Sequence, residues 1–391
     1  MKFNKSFRLT ALLLWAVLLW GLGSCSVFNE ANYELTEYSN AQTEDSSSED
    51  AGYISDYDSL KRAITALVAD HTESALLQFQ NYDGNLTRDL STACWEVKSS
   101  TPLGAYAVDY TSFDLSQIVS YTQADLYITY KRSAEQLARR ETVSGLTGLS
   151  TRLSQALSNG ETYLVLQLRA AALSEDWIAD ELQSLWYGDA RLSPVLPELS
   201  VTLYPESGVE RLAEITLDYG LDDESLAALR QRYEDALQSS LEDLQANLAG
   251  WARVTDAPED IQTVCAVLRY LQTVCVCDPE AGSTAADALL EHSADSEGLA
   301  MACSALCRSL GLDCEVVRGL LDIEQHSWNL IHTDLGCFHL DSSVSTTAAV
   351  PLFGDDTLRD RYRWDSDTLP ACPLDYEQAR ESSAEPAQTA D

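Results

Sequence analysis

The chain has 391 residues, 45% of them hydrophobic, enough apolar material for cores in about two to three domains. Its 62 acidic side chains against 25 basic ones give a formal net charge of -37. Such a surface repels nucleic acid and anionic headgroups, which excludes nucleic-acid binding as the function; the charge reads as a source of solubility.

At the N-terminus, Lys2, Lys5 and Arg8 precede the apolar run ALLLWAVLLWGL at 11–22. The run is shorter than the roughly 20 residues of a membrane span and reads as an export signal. It closes in Leu22-Gly23-Ser24-Cys25, which resembles the lipobox of bacterial lipoproteins. The resemblance implies a signal over 1–25, cleavage before Cys25 and a lipid on that cysteine. The protein would then be extracytoplasmic and held to the bacterial cell membrane through the lipid. An ordinary secretory signal with an incidental cysteine is the alternative. Residues 26–57, with the run TEDSSSED, are too polar to bury a core and are expected to form a disordered tether.

An internal repeat is expected next. In the first unit, 58–138, Leu60, Ile64, Leu67 and Val68 share a helical face, Leu77 lies in an alternating run, and 86–97 reads as a second helix. Two strands, YAVDY at 106–110 and LYITY at 126–130, close the unit. The second unit, 146–222, repeats the order: Leu149, Leu153 and Leu157 on a helix, the strand YLVLQL, a helix capped by Ser174, and strands at 199–204 and 213–219. Leu77 and Tyr130 map onto Leu166 and Tyr219 with one offset, giving two αβαββ units. Residues 223–250 read as an amphipathic connecting helix ended by Gly250. Residues 376–391 are expected to be a disordered tail.

Between them, 251–375, lies the candidate chemistry. A helix beginning near Ser296 carries Leu299, Cys303, Leu306, Cys307 and Leu310 on one face, with Gly311 as its stop. Ser296 sits at the helix mouth, where unpaired N–H groups and the dipole favour an anion. Strand-like runs follow at 314–319, 326–331 and 337–341, the last two joined by HTDLG, a hairpin signal. If Ile331 and His332 face Phe338 and Cys337, then His326 and Asp341 become diagonal neighbours. Such neighbours are about 7–8 Å apart at the backbone, within reach of a His–carboxylate hydrogen bond.

These residues resemble the transglutaminase-like superfamily, a papain-related fold. The matching pattern is S-E-G-L-A, a helix ending in L-G-L, then V-V-R-G, H-S-W-N, and H-L-D, whose Asp lies 15 residues after that His. The segment LFGDDTLRDRYRWDSDTLPACP at 352–373 is similar to the closing segment of bacterial members. The resemblance implies an α+β fold with the helix packed on an antiparallel sheet, preceded by the two repeat units. It implies a catalytic set of Ser296, His326 and Asp341, with Gly298 at a small position of the nucleophile motif and Trp328 and Asn329 supporting the cleft. The family has cysteine where this chain has Ser296. A thiol can be held as a thiolate beside histidine; a hydroxyl is too weak an acid and must lose its proton as it attacks. The expected function is therefore a degenerate module whose cleft binds a peptide or an envelope protein. The alternative is an active acyl-transfer enzyme, hydrolysing or transamidating peptide amides through Ser296, His326 and Asp341. No cofactor and no metal site is expected: His326, His339, Asp341 and the nearby cysteines show no CxxC or HxxxH spacing. Of the ten cysteines, several are expected to be plain buried apolar residues, and their pairing stays open.

Overall fold

A computed structural model describes residues 53–384 apart from 171, 255 and 346. The export signal, Cys25, most of the expected tether and residues 385–391 lie outside the described residues. Residues 53–57, expected in the tether, belong to the fold: Ile54 is buried and bridges Phe79, and helix α1 (Tyr57–Ala69) opens at Asp56. The Asp56 carboxylate accepts from Ser59 N–H while the Ser59 hydroxyl serves the Asp56 N–H, a reciprocal cap. The face formed by Leu60, Ile64 and Val68 is buried.

Strands β1 (Ser74–Phe79), β2 (Val108–Gln117) and β3 (Thr122–Tyr130) form an antiparallel sheet in the order β1-β3-β2. Helices α1 and α2 (Leu86–Ser100) share one core with it. The strand expected from Tyr106 begins instead at Val108. Thr101 caps a further helix, α3 (Pro102–Ala107), with Pro102 in its first turn, and Tyr106 belongs to that helix.

After α4 (Ala134–Ala138), a second sheet takes the order β4-β5-β7-β6. Its strands are β4 (Glu141–Thr142), β5 (Tyr163–Arg169), β6 (Glu198–Tyr204) and β7 (Glu210–Asp218). Helices α5 (Gly145–Asn159) and α6 (Glu175–Gly188) pack on it, and Ser174 caps α6 by accepting from Trp177 N–H. Leu77 faces Ala124 in the first sheet and Leu166 faces Ala213 in the second, a shift of 89 at both positions. Helix α3 lies on the second sheet, where Tyr106 and Ala107 bury Val165 and Leu212. Beside them Glu214 accepts from Arg132 at 2.7 and 2.9 Å, from Tyr163 at 2.8 Å and from Tyr204 at 3.0 Å.

The long helix α7 (Asp223–Ala246) stops earlier than the sequence implies. Asn247 breaks it and caps α8 (Leu248–Ala252) by accepting from Gly250 N–H, so Gly250 lies inside a helix rather than after one. Helix α9 (Glu259–Val274), the short parallel pair β8 (Val276–Cys277) and β9 (Ser293–Ala294), and a π turn (Asp287–Glu291) lead to α10 (Ser296–Ser309). A four-stranded antiparallel sheet then packs on α10, in the order β12-β11-β10-β13. Its strands are β10 (Asp313–Leu321), β11 (Glu324–Thr333), β12 (Gly336–Leu340) and β13 (Tyr362–Arg363). A short helix α11 (Asp355–Leu358) precedes β13. The tail expected to be disordered from 376 starts as helix α12 (Tyr376–Ala384). It is anchored by buried Tyr376 and Ala379, with the Tyr376 ring against Phe338 and its N–H donated to Leu352 O. The architecture is mixed α+β throughout. Among the described residues no helix is long and apolar enough to cross a membrane.

Candidate functional site

The corner at the start of α10 is fixed from three sides. Asp295 caps the helix: its Oδ1 accepts from Gly298 N–H at 2.9 Å and its Oδ2 from the Ser283 hydroxyl at 2.6 Å. Gly298 is buried against the 282–284 loop, so close that an added Cβ would stand 2.9 Å from Thr284 O and 3.1 Å from Gly282 O. Asn329 ties the helix to the sheet by donating to Ala300 O at 2.8 Å, while its own buried Oδ1 has no hydrogen-bond partner among the described residues.

The hairpin supplies the imidazole and the carboxylate. Strands β11 and β12 pair from Thr333↔Gly336 to Asn329↔Leu340, with Ile331 facing Phe338 and His332 facing Cys337. That register makes His326 and Asp341 diagonal neighbours, and His326 Nε2 meets Asp341 Oδ2 at 2.7 Å. Beyond the last β11–β12 pair, Ser327 N–H donates to Ser296 Oγ at 3.2 Å. The structure thus brings Ser296 to the residue next to His326, and His326 to Asp341. Ser296 is half-buried rather than fully on the core face.

Asp341 is held by four donors. Tyr362 OH reaches Oδ2 at 2.8 Å, and Ser343 gives Oδ1 its N–H at 2.9 Å and its hydroxyl at 2.6 Å. Burial works to raise the Asp341 pKa, but the His326, Ser343 and Tyr362 contacts outweigh it and hold the carboxyl below its ordinary value. Burial and the Asp341 charge push Tyr362 up, so its hydroxyl stays a donor. Nε2 is engaged by the Asp341 carboxylate, which leaves Nδ1 as the ring nitrogen for any other partner.

Trp328 and His339 share the sheet face of His326 and Asp341, opposite the face of Asn329 and Ile331 that packs on α10. Trp328 Nε1–H donates to His339 Nδ1 at 3.0 Å, which puts the His339 proton on Nε2, 3.0 Å from Asp355 Oδ1. Burial pushes His339 below the ordinary histidine value despite the opposing pull of Asp355. It is a structural, neutral histidine. Trp328 is fully buried between this pair and the Tyr362 ring, 5.1 Å away, and so supports the strand that carries His326.

Sequence reasoning missed three neighbours. Tyr187, at the end of α6, donates its hydroxyl to Glu297 Oε1 at 2.8 Å, and the Arg318 guanidinium lies 4.4 Å over its ring. This contact spans 110 residues, a separation that no local pattern reveals. Cys277, exposed on β8, pairs in register with Ala294, two positions before Ser296. Burial and then the charges of Asp341, Asp295 and Asp278 push its thiol up. Cys337 forms a disulfide with Cys372, outside the spacing of any local motif. Cys303 is fully buried two turns into α10.

No protein-family model matches the chain, and no curated protein matches it significantly. A search of solved structures returns a transglutaminase at 12% identity and a TM-score of 0.26, covering 53% of this chain and 60% of that one. It also returns a candidate cysteine protease from Cytophaga hutchinsonii at 11% identity and a TM-score of 0.22, covering 38% of this chain and 62% of that one. The chain therefore spans about three-fifths of the length of each.

Proposed function

We propose that residues 251–375 form a transglutaminase-like module in which Ser296 stands where a thiol nucleophile would. In this reading the retained corner binds a peptide or protein segment without turning it over. The observation that carries it is the setting of the Ser296 hydroxyl. Its oxygen accepts from Ser327 N–H, and the same helix mouth already holds the Asp295 carboxylate. A helix N-terminus stabilises an anion through its free N–H groups and dipole; here the Asp295 carboxylate already takes one of them, the Gly298 N–H. A hydroxyl that must lose its proton during attack gains little from such a mouth. The reading extends to a lipid on Cys25, to an extracytoplasmic place on the membrane, and to duplication of the two αβαββ units, the last supported by their common register.

The active reading, acyl transfer with Ser296 as nucleophile, His326 as base and Asp341 as orienter, draws on the four hydrogen bonds that keep Asp341 charged beside His326. The two readings part in one experiment on the purified full chain carrying Cys277→Ser, which removes the exposed thiol. A fluorophosphonate probe is expected to leave the protein unlabelled. Adding Ser296→Cys is expected to produce labelling by a thiol-reactive probe that His326→Ala then suppresses. Fluorophosphonate labelling lost in Ser296→Ala supports the active enzyme instead. Silence of both probes, with the variants folded, removes both readings of the corner.

A further inference from the structure

A second cluster of soft donors lies in the core behind the corner. Cys303 and Cys307 stand one turn apart on α10, and Cys314 lies near the start of β10. All three are fully buried, and their sulfurs lie within 4.8 Å of one another. Spacing of four on a helix puts two side chains on one face, and the packing of α10 on β10 adds the third. None of the three is joined in a disulfide. The buried Ser304 hydroxyl is spent on Cys314 O at 2.8 Å.

The dimensions suit an ion. Metal–sulfur bonds of about 2.3 Å, spread at equal angles in a plane, put the sulfurs about 4.0 Å apart. That separation lies inside the 4.8 Å that bounds the three sulfurs. The donor set then selects the ion. Magnesium and calcium require oxygen ligands. Structural zinc takes four ligands, and among the described residues no fourth His, Cys, Asp or Glu joins this group. Three thiolate sulfurs in a dry site fit a soft monovalent ion.

We propose that Cys303, Cys307 and Cys314 form a three-sulfur site for Cu(I). Each thiol that ligates gives its proton to solvent, and no electron is transferred. The Arg308 guanidinium, whose Nε–H donates to Cys314 O at 2.9 Å, is tied to the backbone of one of the three ligands. A bound ion would clamp α10, the helix that begins at Ser296, to β10.

The test is a Cu(I) titration of the reduced full chain under anaerobic conditions against a chromogenic Cu(I) chelator. One equivalent is expected to be held, with a sulfur-to-copper charge-transfer band, a raised thermal midpoint, and sulfur-only coordination by X-ray absorption. Cys303→Ala, Cys307→Ala and Cys314→Val are each expected to weaken retention by more than about tenfold. Cys265→Ala, a buried thiol outside the triangle, and Cys277→Ser are expected to leave it unchanged. Urea midpoints of the ion-free variants check folding, and a serine variant of near-equal volume replaces any that unfolds. Three results would each overturn the site: no retention against the chelator, retention that survives the three substitutions, or a disulfide joining two of the three cysteines in the protein as isolated.

Discussion

Gly298→Ala puts two opposed effects in competition at the most crowded point of the corner. Alanine in place of glycine within a helix is worth about 1 kcal/mol. Against this, the new Cβ would stand 2.8 Å from the Ala294 Cβ, 2.9 Å from Thr284 O and 3.1 Å from Gly282 O. Neither carbonyl is free to retreat: Gly282 O accepts from Asp295 N–H and Thr284 O from Ala288 N–H. Overpacking of this kind costs about 1–3 kcal/mol, and stretching the two hydrogen bonds adds about 1 kcal/mol. The net is a loss of about 2 kcal/mol. Urea unfolding at neutral pH measures it, with the midpoint falling and the slope unchanged. The double variant Ala294→Gly/Gly298→Ala, which removes one of the three clashes, is expected to recover part of the loss through a coupling of opposite sign. A midpoint for Gly298→Ala equal to or above that of the parent would refute the reasoning, because helix propensity would then have won.

Two other perturbations test the electrostatics. The folded Asp341 carboxyl lies below its ordinary value of 3.8, so its contribution to stability is present above that pH and is lost as pH falls through the folded value. The stability gap between the parent and Asp341→Asn is therefore expected to be widest at neutral pH and to close in acid; urea midpoints that keep a constant gap down to acid pH would contradict this. Glu214→Ala leaves Arg132, Tyr163 and Tyr204 without their shared acceptor at the junction of the two sheets. A loss of about 2 kcal/mol is expected, below the range for a fully buried pair because the Arg132 and Glu214 side chains keep 26% and 15% exposure, and thermal or urea unfolding reads it.

The hairpin was legible because its signals are local. HTDLG marks the turn, and alternation on either side fixes which residues share a face, so the His326–Asp341 diagonal follows from a one-residue choice of register. Helical faces such as Leu60, Ile64 and Val68 follow from spacing alone. Helix α3 was not legible: Thr101-Pro102 is a sound helix start, but YAVDY reads as alternating, and contact with the second sheet decides for helix up to Ala107. Helix α12 escaped notice because Tyr376 and Ala379 are two small anchors in a polar stretch, and only their burial against the core makes the segment fold. The Tyr187–Glu297 bond and the Cys337–Cys372 bridge join distant segments, and nothing in the local sequence reports either partner.

Ser296 and Asp295 are best understood together. A thiolate at position 296 would form one residue from a carboxylate that already takes the Gly298 N–H and the Ser283 hydroxyl. Like charges on adjacent residues, taken as about 5 Å apart, repel by about 3 kcal/mol at an effective dielectric of about 20, or about 2 pH units on a thiol. That offsets most of what a helix mouth and a histidine supply to a reactive cysteine. A neutral hydroxyl escapes the repulsion, so serine suits this cap in a way that cysteine does not. The consequence is measurable in the pH profile rather than in the rate at one pH, because a thiol of lower pKa is also a weaker nucleophile. Thiol-probe labelling of Ser296→Cys is expected to rise with a high midpoint. Adding Asp295→Asn, which keeps an acceptor oxygen for Gly298 N–H, is expected to lower that midpoint by about 1–2 pH units. Coincident profiles for the single and double variants would mean that the Asp295 charge does not govern the corner, and the physical case for a serine there would fail with it.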